Sequence, residues 1–281
     1  MPECVIIGGG PAGFSAAVAL RSRNKQAAVY TGGQSALAKA ARIDNFAGAP
    51  ATGGQALLDA FRSHAIRSGA DVADARIANI LPSGGTFLIN AGGDIIEASC
   101  VILAVGAAKG AVLPGEDELL GRGVSYCATC DGMLFRGKRC VVTGPAADAA
   151  AEANFLASLG ASVTFVSPRQ PSVLDSAVHY LSGAVKSIIG GGYVTGVSLS
   201  TGEMIPCEGV FLLRDAIAPE KLVPGLTLSK GYIEVDRQMA TNIPGIYAAG
   251  DCTGAPLQVA KAVGEGHIAG LSAAAYLDSL G

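Results

Sequence analysis

Apolar residues in this chain form short runs separated by glycine and proline, and the spacing within each run predicts its structure. Residues 54–68 carry Leu57, Leu58, Phe61 and Ile66 at the spacing of an amphipathic helix. Alternation of such helices with buried strands predicts an α/β fold. Continuous or nearly continuous apolar runs that predict strands lie at residues 4–7, 27–30, 87–90, 100–105, 139–143 and 163–166.

The turn after the first predicted strand carries three glycines in the pattern G-x-G-x-x-G. Gly8 permits a tight turn, Gly10 lets a pyrophosphate approach the backbone, and Gly13 lets the next helix, residues 14–22, pack closely. The N-terminus of that helix would face the phosphates. The pattern predicts a dinucleotide-binding domain, although the acidic residue expected near the end of the second strand is absent and Thr31 stands there.

Composition narrows the class of protein. The chain has 281 residues, of which 50% are hydrophobic and only 15% charged, where about a quarter is the usual charged share. A large buried core in one or two domains is therefore expected. The net charge of −3 argues against nucleic-acid binding. No run of about 18 apolar residues is present, and no basic region precedes the first apolar run, so we expect a cytoplasmic protein without a membrane segment.

One close cysteine pair, Cys127 and Cys130, is followed directly by Asp131. In a reducing compartment such a pair is more often redox-active than structural. The C-x-x-C spacing lowers the pKa of one thiol, and Asp131 could act as general acid and base. A zinc site would need a second ligand pair nearby, so no metal site is predicted. The other cysteines, expected to be buried and inert, are Cys4, Cys100, Cys140, Cys207 and Cys252.

Near its C-terminus the chain has an apolar run that ends in Gly250 and Asp251 and is followed by a helix to about residue 280. Together with the N-terminal glycines, the buried run before Gly106 and the segment at residues 127–132, this order of motifs resembles the low-molecular-weight thioredoxin reductases over nearly the whole chain. The resemblance implies two Rossmann-like, three-layer domains. A discontinuous FAD domain would comprise residues 1–113 and 240–281, and an inserted, shortened nucleotide-binding-like domain would comprise residues 114–239.

The resemblance also implies a site for non-covalent FAD. The glycine turn would face the pyrophosphate, Asp251 the ribityl chain or phosphate, and Asn45 and Gln258 the flavin. The family's arginine before this glutamine is Leu257 here, and Lys261 is the one candidate to compensate its charge. The implied FAD-binding residues are Gly8, Gly10, Pro11, Ala12, Gly13, Asn45, Gly106, Gly250, Asp251, Gln258 and Val259.

The inserted domain departs from the family where a second glycine motif should bind NADPH. Gly144 is kept, but Ala146 puts a methyl group where the pyrophosphate should approach, and Pro145 removes a backbone donor. Asp148 could satisfy the helix N-terminus in place of a phosphate. We therefore expect that neither NADPH nor NADH is the electron donor.

Two further family signatures are missing. The basic run that binds the 2′-phosphate is reduced to Arg169, and the Gly-His-x-Pro segment is replaced at residues 214–217. Related reductases without a nucleotide site take electrons from ferredoxin or carry an additional flavin, so both remain candidate donors. An acidic ferredoxin would need a basic patch, for which the candidates are Arg122, Arg136, Lys138 and Arg139.

In the related enzymes, the flavin reduces the cysteine pair and the pair reduces thioredoxin, commonly in a homodimer. Asp131 favours this direction. Two alternatives stay open: a dithiol oxidase that passes electrons from the pair through the flavin to oxygen, and a non-enzymatic flavin redox sensor. Which of Cys127 and Cys130 attacks the substrate does not follow from the sequence.

Overall fold

The computed structural model of the chain describes residues 2–33, 35–49, 52–107, 112–146, 148–214 and 219–281, and of Cys130 it describes the backbone. The chain divides into two compact units, one of Met1–Ala108 with Ala216–Gly281 and one of Lys109–Asp215. Each unit is an α/β fold on a parallel sheet. Among the described residues, no helix is both long enough and apolar enough to span a membrane.

Among its described residues, the first part of the first unit contains seven strands and two α-helices. Its elements are β1 (Cys4–Ile7), α1 (Pro11–Ser22), β2 (Ala27–Tyr30), a 3-10 turn (Ala36–Lys39), α2 (Gly54–Arg67), β3 (Asp71–Ala73), β4 (Ile77–Ser83), β5 (Thr86–Ala91), β6 (Asp94–Ala98) and β7 (Cys100–Leu103).

The second unit follows with shorter helices. Its elements are α3 (Glu116–Leu119), β8 (Val124–Ser125), α4 (Ala128–Asp131), a 3-10 turn (Gly132–Phe135), β9 (Arg139–Thr143), α5 (Ala149–Ser158), β10 (Ser162–Ser167), β11 (His179–Ser182), β12 (Val185–Gly190), β13 (Val194–Leu199), β14 (Met204–Pro206) and β15 (Gly209–Leu212).

The chain then returns to the first unit. The closing elements are α6 (Pro219–Leu222), β16 (Leu228–Ser229), β17 (Tyr232–Ile233), β18 (Ile246–Ala248), a 3-10 turn (Asp251–Thr253) and α7 (Val259–Ser279).

The two units share one sheet topology. The strand order is β18-β7-β1-β2-β3 in the first and β8-β15-β9-β10-β11 in the second, with every neighbouring pair parallel. In each unit, a three-stranded antiparallel sheet precedes one strand of the parallel sheet in the chain. The sheet β4-β5-β6 precedes β7 in the first unit, and β12-β13-β14 precedes β15 in the second. In open sheets of this kind, ligands bind beyond the carboxyl ends of the strands. The loops after β1 and β9 lie at those ends.

Close packing of α1 against α7 depends on glycine. A Cβ on Gly266 would lie 2.1 Å from the carbonyl oxygen of Ala12, and one on Gly270 would lie 2.6 Å from that of Ala16. Ala269, on the same helix, is fully buried. The alanine-rich terminal helix thus packs inside its own unit.

Most predicted strands and helices are present, with some boundaries shifted. α1 begins at Pro11, three residues earlier than predicted, and β7 ends at Leu103 rather than at residue 105. In α2 the prediction of a buried Ile66 is wrong, because its side chain is 50% exposed and Ala65 is buried instead. Ala65 follows Phe61 by four residues and shares its helix face, whereas a step of five leaves that face.

The domain boundaries differ from those drawn from the sequence. Residues 219–239, predicted to belong to the inserted domain, lie in the first unit. Hydrogen bonds join them to the segment before β18, from Thr227 N to Asn242 Oδ1 at 2.9 Å and from Asp236 N to Ala240 O at 3.0 Å. Val235 also packs against the core of the first unit. The predicted linker at residues 109–115 and the predicted replacement at 214–217 lie partly outside the described residues.

Candidate functional site

The glycine turn after β1 is shaped by close approaches within the protein. Gly8 has a φ of +116°, and a Cβ there would lie 2.1 Å from the carbonyl oxygen of Ala104. A Cβ on Gly13 would lie 2.0 Å from the carbonyl oxygen of Gly8. At Gly10, by contrast, a Cβ would meet nothing closer among the described residues than Ser35 Oγ, at 3.6 Å. The protein's own packing requires Gly8 and Gly13, and it leaves the space in front of Gly10 for a ligand.

The N-terminus of α1 opens onto this space. Gly10 is the N-cap residue and Pro11 the first helical residue, and among the described residues no side chain caps the helix and no acidic residue lies in its first turn. Unsatisfied N–H groups and the helix dipole attract anions at such an end. The residues present therefore fit the pyrophosphate of FAD.

The loop after β18 lies against the same end of α1. Gly250, with a φ of +87°, is so close that a Cβ there would lie 2.9 Å from the Cβ of Ala12. Its N–H group donates to Glu265 Oε2 at 2.9 Å. The next residue, Asp251, begins the 3-10 turn and is half-buried. The two ends of the chain thus meet where the resemblance implies FAD.

Lys261 fastens this loop. Its ammonium group donates to the carbonyl oxygens of Gly250 and Gly254, at 2.8 and 2.6 Å, and pairs with Glu265 at 3.1 Å. The suggestion that Lys261 replaces the arginine missing at Leu257 is therefore corrected: its charge is paired and its donors hold the loop.

Asn45 and Gln258 are joined directly, although 213 residues separate them in the chain. Asn45 Nδ2 donates to Gln258 Oε1 at 2.6 Å, and Val259 begins α7 immediately after. Gly106, with a φ of +73°, lines a cavity of about 250 Å³ together with Cys252. The structure thus brings together the two residues that the resemblance implies beside the flavin.

Ser125 joins the redox-active cysteine to the predicted acid–base residue. Cys127 is disulfide-bonded and 2% exposed. The buried Ser125 hydroxyl donates to Asp131 Oδ2 at 2.6 Å and accepts from the Cys127 N–H at 3.1 Å. The side chain of Cys130 lies outside the described residues. Ser125 was not identified from the sequence. The feature that could have indicated it is a polar residue in a short buried strand, two positions before Cys127.

A buried ion pair holds the residue before Cys127. Arg214 Nη1 and Nη2 donate to Glu116 Oε1 and Oε2 at 2.6 and 2.8 Å, and the Tyr126 hydroxyl donates to Oε1 at 2.8 Å. Burial alone would raise the pKa of Glu116, but hydrogen bonds from Arg214, the Leu113 amide and Tyr126 hold it down at about 2. The pair links the segment after β15 to the redox segment, and no pattern in the sequence predicted it.

The turn after β9 has the geometry of the turn after β1 but is closed. A Cβ on Gly144 would lie 1.9 Å from the carbonyl oxygen of Leu213, just as Gly8 approaches Ala104. Ala146, at the position of Gly10, donates its N–H to that same Leu213 oxygen at 3.1 Å, and its methyl group is buried in the core of the unit. The space that stays open beside Gly10 in the first unit is filled in the second unit by the protein's own packing.

Carboxylates at the start of α5 have other roles than the sequence suggested. Asp148 is the N-cap residue, but within the described chain its carboxylate makes no capping hydrogen bond to the first turn, which corrects the expected self-capping. Glu152, 8% exposed, accepts from the Ala128 N–H at 2.6 Å. Glu152 thereby fixes the backbone directly after Cys127.

The prediction that the other five cysteines are buried thiols is confirmed. Burial raises the pKa of Cys140, Cys207 and Cys252 to about 12, so these thiols stay protonated at neutral pH. Cys252 also donates to the carbonyl oxygen of Ala249 at 3.3 Å. Thiol chemistry is left to the Cys-x-x-Cys pair.

Two dinucleotide-type folds, one with an open glycine turn and the other with a redox-active cysteine beside a carboxylate, define the class of flavin-dependent disulfide oxidoreductases. The family model for pyridine nucleotide-disulphide oxidoreductases matches residues 2–266, and the chain belongs to this family. Within the family it is an enzyme of the thioredoxin reductase-like type.

Relatives that are matched over nearly their whole length support this assignment. The thioredoxin reductase of Listeria innocua is 33% identical, with 99% of this chain and 94% of the relative covered. A ferredoxin-flavin thioredoxin reductase from Clostridium acetobutylicum superposes with a TM-score of 0.92 at 36% identity, covering 99% of this chain and 98% of the other. A thioredoxin reductase from Gloeobacter violaceus gives 0.88 at 31% identity, covering 99% and 95%.

Proposed function

We propose that this enzyme exchanges electrons between FAD and the Cys127–Cys130 pair, reduces the disulfide of a thioredoxin-like protein, and does not use NADPH or NADH as donor. The observation that carries the donor claim is Ala146, whose N–H group is bonded to Leu213 and whose methyl group is packed in the core. A nucleotide pyrophosphate would need both that amide and that space. The contrast with Gly10, where a ligand has room, supports the same conclusion.

FAD, when bound, supplies the electron pair that opens the disulfide. The Cys127–Cys130 disulfide takes up two electrons and two protons and becomes two thiols. One cysteine, as thiolate, attacks the partner's disulfide and forms a mixed disulfide, and the other cysteine then attacks that bond, which restores the ring. Asp131, held by Ser125, gives a proton to the departing partner thiolate and takes one from the attacking thiol.

Exposed apolar side chains next to the redox segment favour a protein as substrate. Met133 and Leu134 lie two and three residues after Asp131, in the 3-10 turn, and are 63% and 67% exposed. Apolar side chains grouped at a surface are typical of binding sites for other proteins. A thioredoxin-like partner of the kind named for the relatives fits this surface.

An external protein or a second flavin would then supply the electrons. We favour ferredoxin, because the structure that superposes at a TM-score of 0.92 is named a ferredoxin-flavin thioredoxin reductase. The candidate basic residues Arg122, Arg136, Lys138 and Arg139 are all exposed. Arg139 forms an ion pair with Glu208 at 3.2 Å, so the other three are the stronger candidates for contact with an acidic partner.

The resemblance also implies a homodimer, and five buried free thiols suit a reducing compartment such as the cytoplasm. Light scattering of the purified enzyme tests the dimer. Counting the flavin released per chain on denaturation tests the second flavin: about one per chain favours an external protein donor, and about two favours a second bound flavin.

The proposed reaction is tested without any natural donor. The FAD-loaded enzyme is reduced by light under anaerobic conditions and mixed with oxidised thioredoxin. We expect the flavin to be reoxidised as thioredoxin thiols form, and we expect Cys127→Ser and Cys130→Ser to abolish both changes. Absence of thioredoxin reduction, together with hydrogen peroxide formation when a small dithiol and oxygen are supplied, would show a dithiol oxidase instead.

A further inference from the structure

The residue after β2 carries a hydroxyl group, whereas dinucleotide-binding domains commonly have a carboxylate at this position. In such domains an Asp or Glu near the end of the second strand hydrogen-bonds the ribose of the adenosine half. Here the residue is Thr31, which lies against the glycine turn: a Cβ on Gly9 would be 2.3 Å from Thr31 Cγ2. Thr31 thus occupies the position from which an adenosine ribose is reached, without the group that binds it.

The neighbouring strand brings a carboxylate to this position. β3 runs parallel to β2, with Ala73 opposite Tyr30, so Thr31 and Asp74 leave their strands side by side. The Thr31 N–H donates to the Ala73 carbonyl oxygen at 2.9 Å. The Thr31 hydroxyl donates to Asp74 Oδ1, which turns the Asp74 carboxylate back towards the end of β2.

Asp74 has the properties of a hydroxyl acceptor. The hydrogen bond from Thr31 lowers its pKa, and the Arg62 guanidinium, 3.5 Å away, acts in the same direction. Within the described part of the chain, both of these groups contact Oδ1, which leaves Oδ2 to accept from a ligand. The side chain is 72% exposed and so within reach of one.

We propose that Asp74, oriented by Thr31, binds the ribose hydroxyl groups of the adenosine half of FAD, in place of an acidic residue on β2. The inference rests on the proposed function, because it requires FAD in the first unit. On this proposal, the exposed pair of Thr31 and Asp74 contributes to the binding free energy of FAD.

Binding to the apoprotein tests this assignment independently of catalysis. Fluorescence titration compares FAD with an analogue that lacks the adenosine 2′-hydroxyl, for the wild type, Asp74→Asn and Thr31→Val. A hydrogen bond to a charged acceptor is stronger than one to a neutral acceptor, so Asp74→Asn should weaken FAD binding by about tenfold or more. The wild type should prefer FAD over the analogue, Asp74→Asn should lose that preference, and Thr31→Val should fall between them.

Asp71→Asn is the matched control, an exposed carboxylate at the other end of β3. It should bind FAD as the wild type does. If Asp74→Asn keeps both the affinity and the preference for the 2′-hydroxyl, the role of Asp74 is refuted while FAD binding stands. If the wild type binds no FAD at all, the proposed function itself is refuted.

Discussion

The Ser125 hydroxyl donates to Asp131 Oδ2 at 2.6 Å and accepts from the Cys127 N–H at 3.1 Å. One buried side chain therefore holds both the backbone of the cysteine and the carboxylate proposed to transfer its protons. The proposed general acid, Asp131, is positioned by a residue that precedes the cysteine pair in the chain.

Replacing Ser125 by Ala should slow thioredoxin reduction by about tenfold or more, because an incorrectly placed general acid loses much of a contribution of about 10²–10⁴-fold. Single-turnover rates measured across pH check this. Ser125→Ala should have no further effect in an Asp131→Asn background. Additive losses in the double variant would contradict a role through Asp131, and Ser187→Ala, which removes a hydroxyl bonded to Ser198 elsewhere in the unit, is the control.

Gly10→Ala should remove FAD while leaving the apoprotein stable. Among the described residues, a Cβ at this position meets only Ser35 Oγ, at 3.6 Å, and the φ of −98° suits alanine. The methyl group would instead block the approach of the pyrophosphate. Flavin content and the unfolding temperature of the apoprotein measure the two effects. The reverse change in the second unit, Ala146→Gly, should leave flavin content unchanged. Full FAD occupancy in Gly10→Ala would contradict the assigned site.

Two glycines in one helix should respond to alanine in opposite directions. Gly266→Ala should lower the free energy of unfolding by about 1–3 kcal/mol or more, because its methyl group would lie 2.1 Å from a backbone oxygen of α1. In the part of the chain that the structure describes, a Cβ on Gly264 would meet nothing within 4 Å, so Gly264→Ala should stabilise the helix by about 1 kcal/mol. Denaturant titration of the two variants decides. Equal effects would show that the α1–α7 crossing does not depend on Gly266.

The stabilising effect of the buried Glu116–Arg214 pair should be lost in acid. The folded pKa of Glu116, about 2, lies below the ordinary value of about 4.3, so its stabilising effect is present at neutral pH. That effect is lost as pH falls from about 4.5 towards about 2. Thermal unfolding followed across this range should show the loss.

Arg214→Met should cost about 3–5 kcal/mol at neutral pH, because it leaves a buried carboxylate without its main partner. It should also remove the acid dependence that comes from Glu116. Arg139→Met breaks the exposed pair with Glu208 and should have a much smaller effect. Similar losses of stability in the two variants would contradict the importance of burial.

The sequence was sufficient to predict those strands and helices whose residue pattern lies within a few neighbouring positions. The glycine turn predicted β1, α1 and the open space at Gly10, and the apolar runs predicted the central parallel strands. The strands β12 to β14 were not predicted, because polar residues and glycine interrupt the apolar residues and leave no continuous apolar run. The position of residues 219–239 depends on hydrogen bonds to a later segment, which spacing does not encode.

Candidate site residues could be named where residue type alone suggests the chemistry, as for Cys127 and Asp131, and their catalytic roles stay predictions. Partners brought in from elsewhere in the fold were missed. Arg214 and Glu116 are hydrogen-bonded although they are 98 residues apart in the sequence, and Asp74 and Thr31 are hydrogen-bonded although they are 43 residues apart. The sequence also singled out Ala146, but its hydrogen bond to Leu213 is a tertiary contact that only the structure reveals.

The most direct test of the account is an anaerobic titration of the FAD-loaded enzyme, followed by flavin absorbance. NADPH or NADH at micromolar concentration should leave the flavin oxidised, because Ala146 and Leu213 close the nucleotide turn. Reduced ferredoxin should bleach it, and added thioredoxin disulfide should then restore the colour. Full bleaching by either nucleotide within seconds would contradict the central claim.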